Sequence, residues 1–144
     1  PLSTWTQTAG GAQGWNTAAN WIANSVPSPV AGDTIDFSTV DIVANTTLTL
    51  GADRTGGWWK FGDTTGTETW IVNAGNTLTL AGTTPTIEVA QNSVTLNCPV
   101  AGTQGLTKTG AGNLILNAAS TYTGGTVLTN GVLTIAHASA LGSG

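Results

Sequence analysis

The feature that most constrains this chain is a short element that keeps returning: an apolar residue, any residue, then another apolar one, set off by a sharp turn. Leu48/Leu50, Leu78/Leu80, Val94/Leu96, Leu114/Leu116 and Leu133/Ile135 are five copies, with 30, 16, 20 and 19 residues between successive starts. The preceding turns include Ala74-Gly75-Asn76, Gln91-Asn92-Ser93, Gly110-Ala111-Gly112-Asn113 and Asn130-Gly131. Alternation over three to five residues is the signature of a half-buried strand. One signature recurring at a period near 20 points to a β-solenoid, in which each coil stacks inward aliphatics on those below. A β-sandwich or jelly roll uses similar short strands and turns, but has no reason to repeat one element.

Composition agrees with an all-β reading. Thr, Val, Ile, Trp and Gly favour strands and turns, while Met is absent and charged residues are 7% of the chain, against roughly 25% in an ordinary soluble domain. From residue 33 onward strand-like runs follow one another. Residues 1–32 hold Trp5, Trp15 and Trp21 with Pro27 and Pro29 and no clean periodicity. The expected organisation is therefore one domain over 1–144, with 1–32 as an N-terminal cap and 33–144 as stacked rungs. An open coil end exposes strand edges and an apolar cross-section, and the three indoles are expected to close it.

The same arithmetic excludes several functions. Three Lys+Arg against seven Asp+Glu give a net charge of −4, so no basic surface is available for nucleic acid. No apolar run is long enough for a membrane-spanning helix, and membrane insertion is not expected. Cys98 is the single cysteine, which forbids an intrachain disulfide and reads as a small buried residue. His137 stands alone and is expected in solvent.

Residues 105–142 carry a denser motif. Gly105-Leu106-Thr107-Lys108-Thr109-Gly110-Ala111-Gly112-Asn113-Leu114-Ile115-Leu116 is followed by Tyr122-Thr123-Gly124-Gly125-Thr126 and by Asn130-Gly131-Val132-Leu133. This stretch resembles the autotransporter-associated β-strand repeat, whose pattern runs L-x-K-x-G-x-G-x-L-x-L, N-x-Y-x-G-x-T and G-x-L; Ser120 stands where that family usually has Asn. The resemblance implies a right-handed parallel β-helix in an exported bacterial protein, secreted or extracellular, with its signal peptide outside this chain. It says little about activity, because the repeat serves as a scaffold in stalks, adhesins and secreted enzymes.

Six Trp beside two Phe and one Tyr are hard to fit into an aliphatic coil. In Trp58-Trp59-Lys60-Phe61 alternation sends Trp59 and Phe61 inward and Trp58 outward with Lys60. Counting from an outward Glu68 makes Trp70 outward as well, and Glu88 lies between inward Ile87 and Val89. The expected outer stripe is Trp58, Lys60, Glu68, Trp70 and Glu88. Bare indoles beside polar groups suit the C–H face and hydroxyls of a sugar ring. The expected function is a non-catalytic carbohydrate-binding module attached to a catalytic or cell-surface domain. Its expected partner is a β-linked plant polysaccharide of xylan or glucan type, with Trp58 and Trp70 as platforms. The alternative is a ligand-free passenger or stalk segment of an autotransporter-like adhesin.

Catalysis finds little support. A glycoside hydrolase or lyase needs paired carboxylates with supporting groups. Glu68 and Glu88, facing each other across rungs, have no recognisable partner, and no catalytic residue is assigned. No metal or other cofactor is expected by default. The one opening is Ca²⁺, for which Asp63 and Glu68 flank a Thr/Gly loop with the oxygen ligands this ion prefers.

Overall fold

The computed structural model describes residues 1–144 and shows an all-β solenoid of stacked parallel strands. Fifteen short strands occur: β1 Leu2–Thr4, β2 Gly11–Gly14, β3 Thr34–Phe37, β4 Thr46–Thr49, β5 Arg54–Gly56, β6 Trp58–Phe61, β7 Trp70–Val72, β8 Leu78–Leu80, β9 Thr86–Val89, β10 Ser93–Leu96, β11 Val100–Ala101, β12 Leu106–Thr109, β13 Asn113–Leu116, β14 Thr126–Leu128 and β15 Val132–Ile135. They form three parallel sheets. Sheet I is β1-β3-β6-β9-β12-β14, sheet II is β2-β4-β7-β10-β13-β15 and sheet III is β5-β8-β11. The chain visits the sheets in rotation, so neighbours in a sheet belong to successive coils.

Strict register is what makes the core. In sheet I, Ile35, Trp59, Ile87, Lys108 and Leu128 form one inward ladder, and Phe37, Phe61 and Val89 another. In sheet II the ladders are Leu48, Val72, Leu96, Leu116 and Ile135, beside Thr46, Trp70, Val94, Leu114 and Leu133. A slip of one residue would turn each apolar set outward, so burial fixes the pairing. Phe37 and Phe61 stack at 5.0 Å with their planes 7° apart.

The five apolar pairs therefore do not lie in one row. Leu78 and Leu80 are in sheet III, which is why the spacing looked irregular. Sheet II is revisited at residues 46, 70, 94, 114 and 133, and its copy at 70–72 reads Trp-Ile-Val. Corners carry side-chain ladders too: Asn117 Nδ2 donates to Asn97 Oδ1 at 2.8 Å, and Asn73 Nδ2 to Thr49 Oγ1 at 3.1 Å.

Residues 1–32 do more than cover an end. β1 pairs with β3 and β2 with β4, so this segment supplies the outermost strand of sheets I and II. Two short 3₁₀ turns, Ala18–Asn20 and Ile22–Asn24, then bring Trp21 back to bridge Trp5. Trp5, Trp15 and Trp21 are all buried, packed around Phe37 at centroid distances of 5.4, 6.2 and 5.5 Å. Each indole N–H reaches a carbonyl: Trp5 to Gln7, Trp15 to Pro27 and Trp21 to Trp15. Aromatic bulk with satisfied donors is what a solenoid end requires.

Cys98 is buried and unpaired, its thiol pushed up to about 11 by desolvation. His137 is exposed, and its Nδ1 accepts from the Ser139 N–H. No helix is long and apolar enough to cross a membrane.

Candidate functional site

The expected outer stripe divides. On sheet I the alternation argument holds: Trp59 and Phe61 are buried, and Trp58 is 44% exposed. Lys60 is half-buried, its Nζ 5.6 Å from the centre of the Trp58 ring and 3.6 Å from Asp36 Oδ2. The register places Asp36, Lys60 and Glu88 in one outward row, so Lys60 is flanked by carboxylates on both neighbouring strands. Beside Trp58 a shallow depression of about 250 Å³ is lined by Gly32, Thr34, Gly57, Gly82, Thr83 and Thr84.

On sheet II the expectation fails. Trp70 is 1% exposed and stacks inward between Thr46 and Val94, its Nε1 donating to the Gly62 carbonyl at 2.7 Å. Alternation counts only within a strand, and β7 begins at Trp70, so Glu68 belongs to the preceding loop and sets no parity. Ile71, not Trp70, faces outward with Thr47 and Thr95. The platform pair is reduced to Trp58 alone. Glu68 and Glu88 are not partners either. Glu88 sits in β9 beside Lys60, and Glu68 lies at the corner before β7 with Asp63.

That corner is the most unusual polar environment in the chain. Asp63 is 1% exposed; its Oδ1 accepts the Ile42 N–H at 3.0 Å, and its buried Oδ2 has no hydrogen-bond partner. Burial pushes the Asp63 carboxyl above the usual range, and the neighbouring Glu68 and Asp41 carboxylates push the same way, against the Ile42 amide. Glu68 accepts from the Thr67 N–H at 2.8 Å, and Asp41 accepts from the Thr65 hydroxyl at 2.6 Å. Asn92, on the next coil, donates to the Glu68 carbonyl at 3.0 Å. The loop is thus tied to the coils on both sides. No group of three or more His, Cys, Asp or Glu side chains converges in a ready-made metal site.

Two roles were not read from the sequence. Lys108 is wholly buried, on the inward ladder between Ile87 and Leu128. Its Nζ donates to the carbonyls of Thr109 at 2.7 Å, Gly110 at 2.9 Å and Asn130 at 3.2 Å. Desolvation lowers its pKa from the ordinary lysine value. Tyr122 is likewise buried, with its hydroxyl 2.6 Å from Thr126 Oγ1. The Lys, Gly, Tyr and Thr of the motif therefore hold corners of the coil together. A charged residue at an apolar register position was the signal for Lys108.

Comparison with known proteins places the motif in a family. Residues 106–135 match the family model of the passenger-associated-transport-repeat, so this stretch carries an autotransporter passenger repeat. Over 140 residues, 93% of this chain, it is 40% identical to the adhesin BmaC autotransporter of Brucella suis biovar 1 (strain 1330). The chain spans 4% of that relative's length. No solved structure matches it.

Proposed function

We propose that this chain is a structural stretch of the passenger of a bacterial autotransporter adhesin, displayed outside the cell, which spaces and stiffens rather than catalyses or recognises. One observation carries the proposal: the inward ladders of sheets I and II continue in register into the last coil and emerge uncovered. Leu128 follows Ile87 and Lys108 yet is 49% exposed, and Ile135 follows Leu96 and Leu116 yet is 44% exposed. Aliphatics aligned with a core but left in water cost about 25 cal/mol per Å² of apolar surface relative to being covered. A further coil of the same geometry would cover them, with strand spacing near 4.8 Å. The similarity to an adhesin many times longer supports the same reading.

A second reading rests on Trp58. Its exposed ring, with Lys60 and Glu88 beside it and the glycine-floored depression next to it, offers one stacking platform for a sugar chain. Affinity electrophoresis against soluble xylan, β-glucan and mannan separates the two. The structural reading expects no retardation in any gel. Retardation that disappears in Trp58→Ala would overturn it in favour of glycan binding.

A further inference from the structure

The corner between β14 and β15 sets an asparagine directly before a glycine, and Asn130 is the one asparagine of the chain so placed. That pairing is reactive. The amide nitrogen after an asparagine can attack its side chain and close a five-membered ring, and glycine puts no Cβ in the way. The fold cannot give the glycine up. Gly131 has φ +75°, and a Cβ there would run into the carbonyl oxygens of Gly110 and Gly112 in the preceding coil.

The corner also holds the reacting groups together. No backbone carbonyl takes the Gly131 N–H, which donates instead to Asn130 Oδ1 at 2.7 Å. With a C=O bond of about 1.23 Å, Asn130 Cγ then lies about 3–3.5 Å from that nitrogen, the range of a near-attack pair. Thr129 and Asn130 are exposed and Gly131 is half-buried, so water has access. Lys108 is the third participant. Its Nζ lies 3.2 Å from the Asn130 backbone oxygen, which belongs to the same peptide unit as the Gly131 nitrogen. When that nitrogen loses its proton, the negative charge spreads onto this oxygen, where the ammonium stabilises it.

We propose that Asn130–Gly131 is a self-modification site, at which the folded corner converts Asn130 to isoaspartate through a succinimide, with Lys108 directing the outcome. The Gly131 nitrogen bonds to Asn130 Cγ and the bond from Cγ to the side-chain nitrogen breaks. That nitrogen leaves as ammonia, carrying the proton that Gly131 gave up. Water then opens the ring at one of its two carbonyls. Attack at Cγ restores the normal backbone with an aspartate. Attack at the backbone carbonyl breaks its bond to the Gly131 nitrogen and leaves isoaspartate, with the chain running through Cβ and Cγ. Of the two carbonyls, Lys108 polarises the backbone one, so the second route is favoured. Its product is a free carboxylate facing the buried ammonium, with one added methylene in the backbone of the corner.

The whole chain, incubated for days at neutral pH, is read by peptide mass and by isoaspartyl methyltransferase labelling. Asn130 is expected to undergo amide-to-acid conversion ahead of the other asparagines. The ratio of isoaspartate to aspartate should be higher in the folded chain than in the same chain held unfolded in urea. Lys108→Met should slow the reaction about tenfold and bring the product ratio to the urea value, and Asn130→Gln, whose ring would have six members, should abolish the reaction. Circular dichroism checks that the variants are folded. If Lys108→Met does not fold, the product ratio of the wild type, folded against unfolded, decides by itself. Three results would overturn the proposal: Asn130 retaining its amide throughout, the same product ratio folded and unfolded, or a folded Lys108→Met that matches the wild type in rate and ratio.

Discussion

The ammonium of Lys108 reaches the carbonyl of Asn130, 3.2 Å away and 22 residues further along the chain, from inside the coil rather than from its surface. With its bonds to Thr109 and Gly110 this joins the corner after β12 to the corner of the following coil. The aliphatic stem fills the inward ladder while the charge satisfies carbonyls at its end. Gly110, at φ +78°, is one of the turn residues that expose those carbonyls.

Lys108→Met tests whether the charge or the stem matters. Methionine keeps most of the apolar volume and removes all three donors. Hydrogen bonds from a charged group contribute more than neutral ones, but desolvation of the ammonium offsets part of that gain. The expected net loss is about 1–3 kcal/mol in urea unfolding. Equal or greater stability in the variant would mean that packing alone holds this corner.

Trp58 and Trp70 should respond oppositely to truncation. Trp70→Ala empties a position buried between Thr46 and Val94 and is expected to cost about 3–5 kcal/mol. Trp58→Ala removes a half-exposed ring that carries the Lys60 ammonium over its face, with an expected change below about 1 kcal/mol. Denaturant midpoints of the two variants measure the difference.

Stability should depend on pH through Asp63. Its folded pKa lies above its ordinary value of 3.8, so the native state holds this proton more tightly than the unfolded chain does. The resulting stabilisation is fully present below pH 3.8 and is lost as pH rises through the folded value. Asp63→Asn should therefore flatten the pH dependence in this window, because carboxylates remote from this corner cancel in the difference. Chemical unfolding across the acid range reads it out. A difference that instead grows in the wild type's favour with rising pH would contradict the sign.

Much of the fold was legible because β-structure writes its burial at period two. Trp58, Trp59, Lys60 and Phe61 were oriented correctly from alternation alone, and the Lys, Gly and Tyr offsets of 105–142 identified the repeat. The site was less legible. Trp70 was misplaced because parity was carried from Glu68 across a strand boundary that only backbone pairing reveals. Lys108 was passed over because a charged residue is expected in water unless its partners are visible, and those partners are carbonyls, which are the same at every residue. Asp63 and Glu68 were visible together as the ends of one Thr/Gly loop, whereas Asp41 reaches that loop from the preceding coil, which no local window shows.

Amide hydrogen exchange over β15 tests the central claim most directly. With Val132–Ile135 forming the outermost strand of sheet II, exchange there should be fast in the isolated chain. In a longer chain that carries the proposed following coil, exchange should slow by at least about 100-fold, since covered core strands approach the global opening free energy. Equal, fast exchange in both settings would mean that nothing stacks on Leu128 and Ile135, and would contradict the reading of this chain as one stretch of a continuing coil.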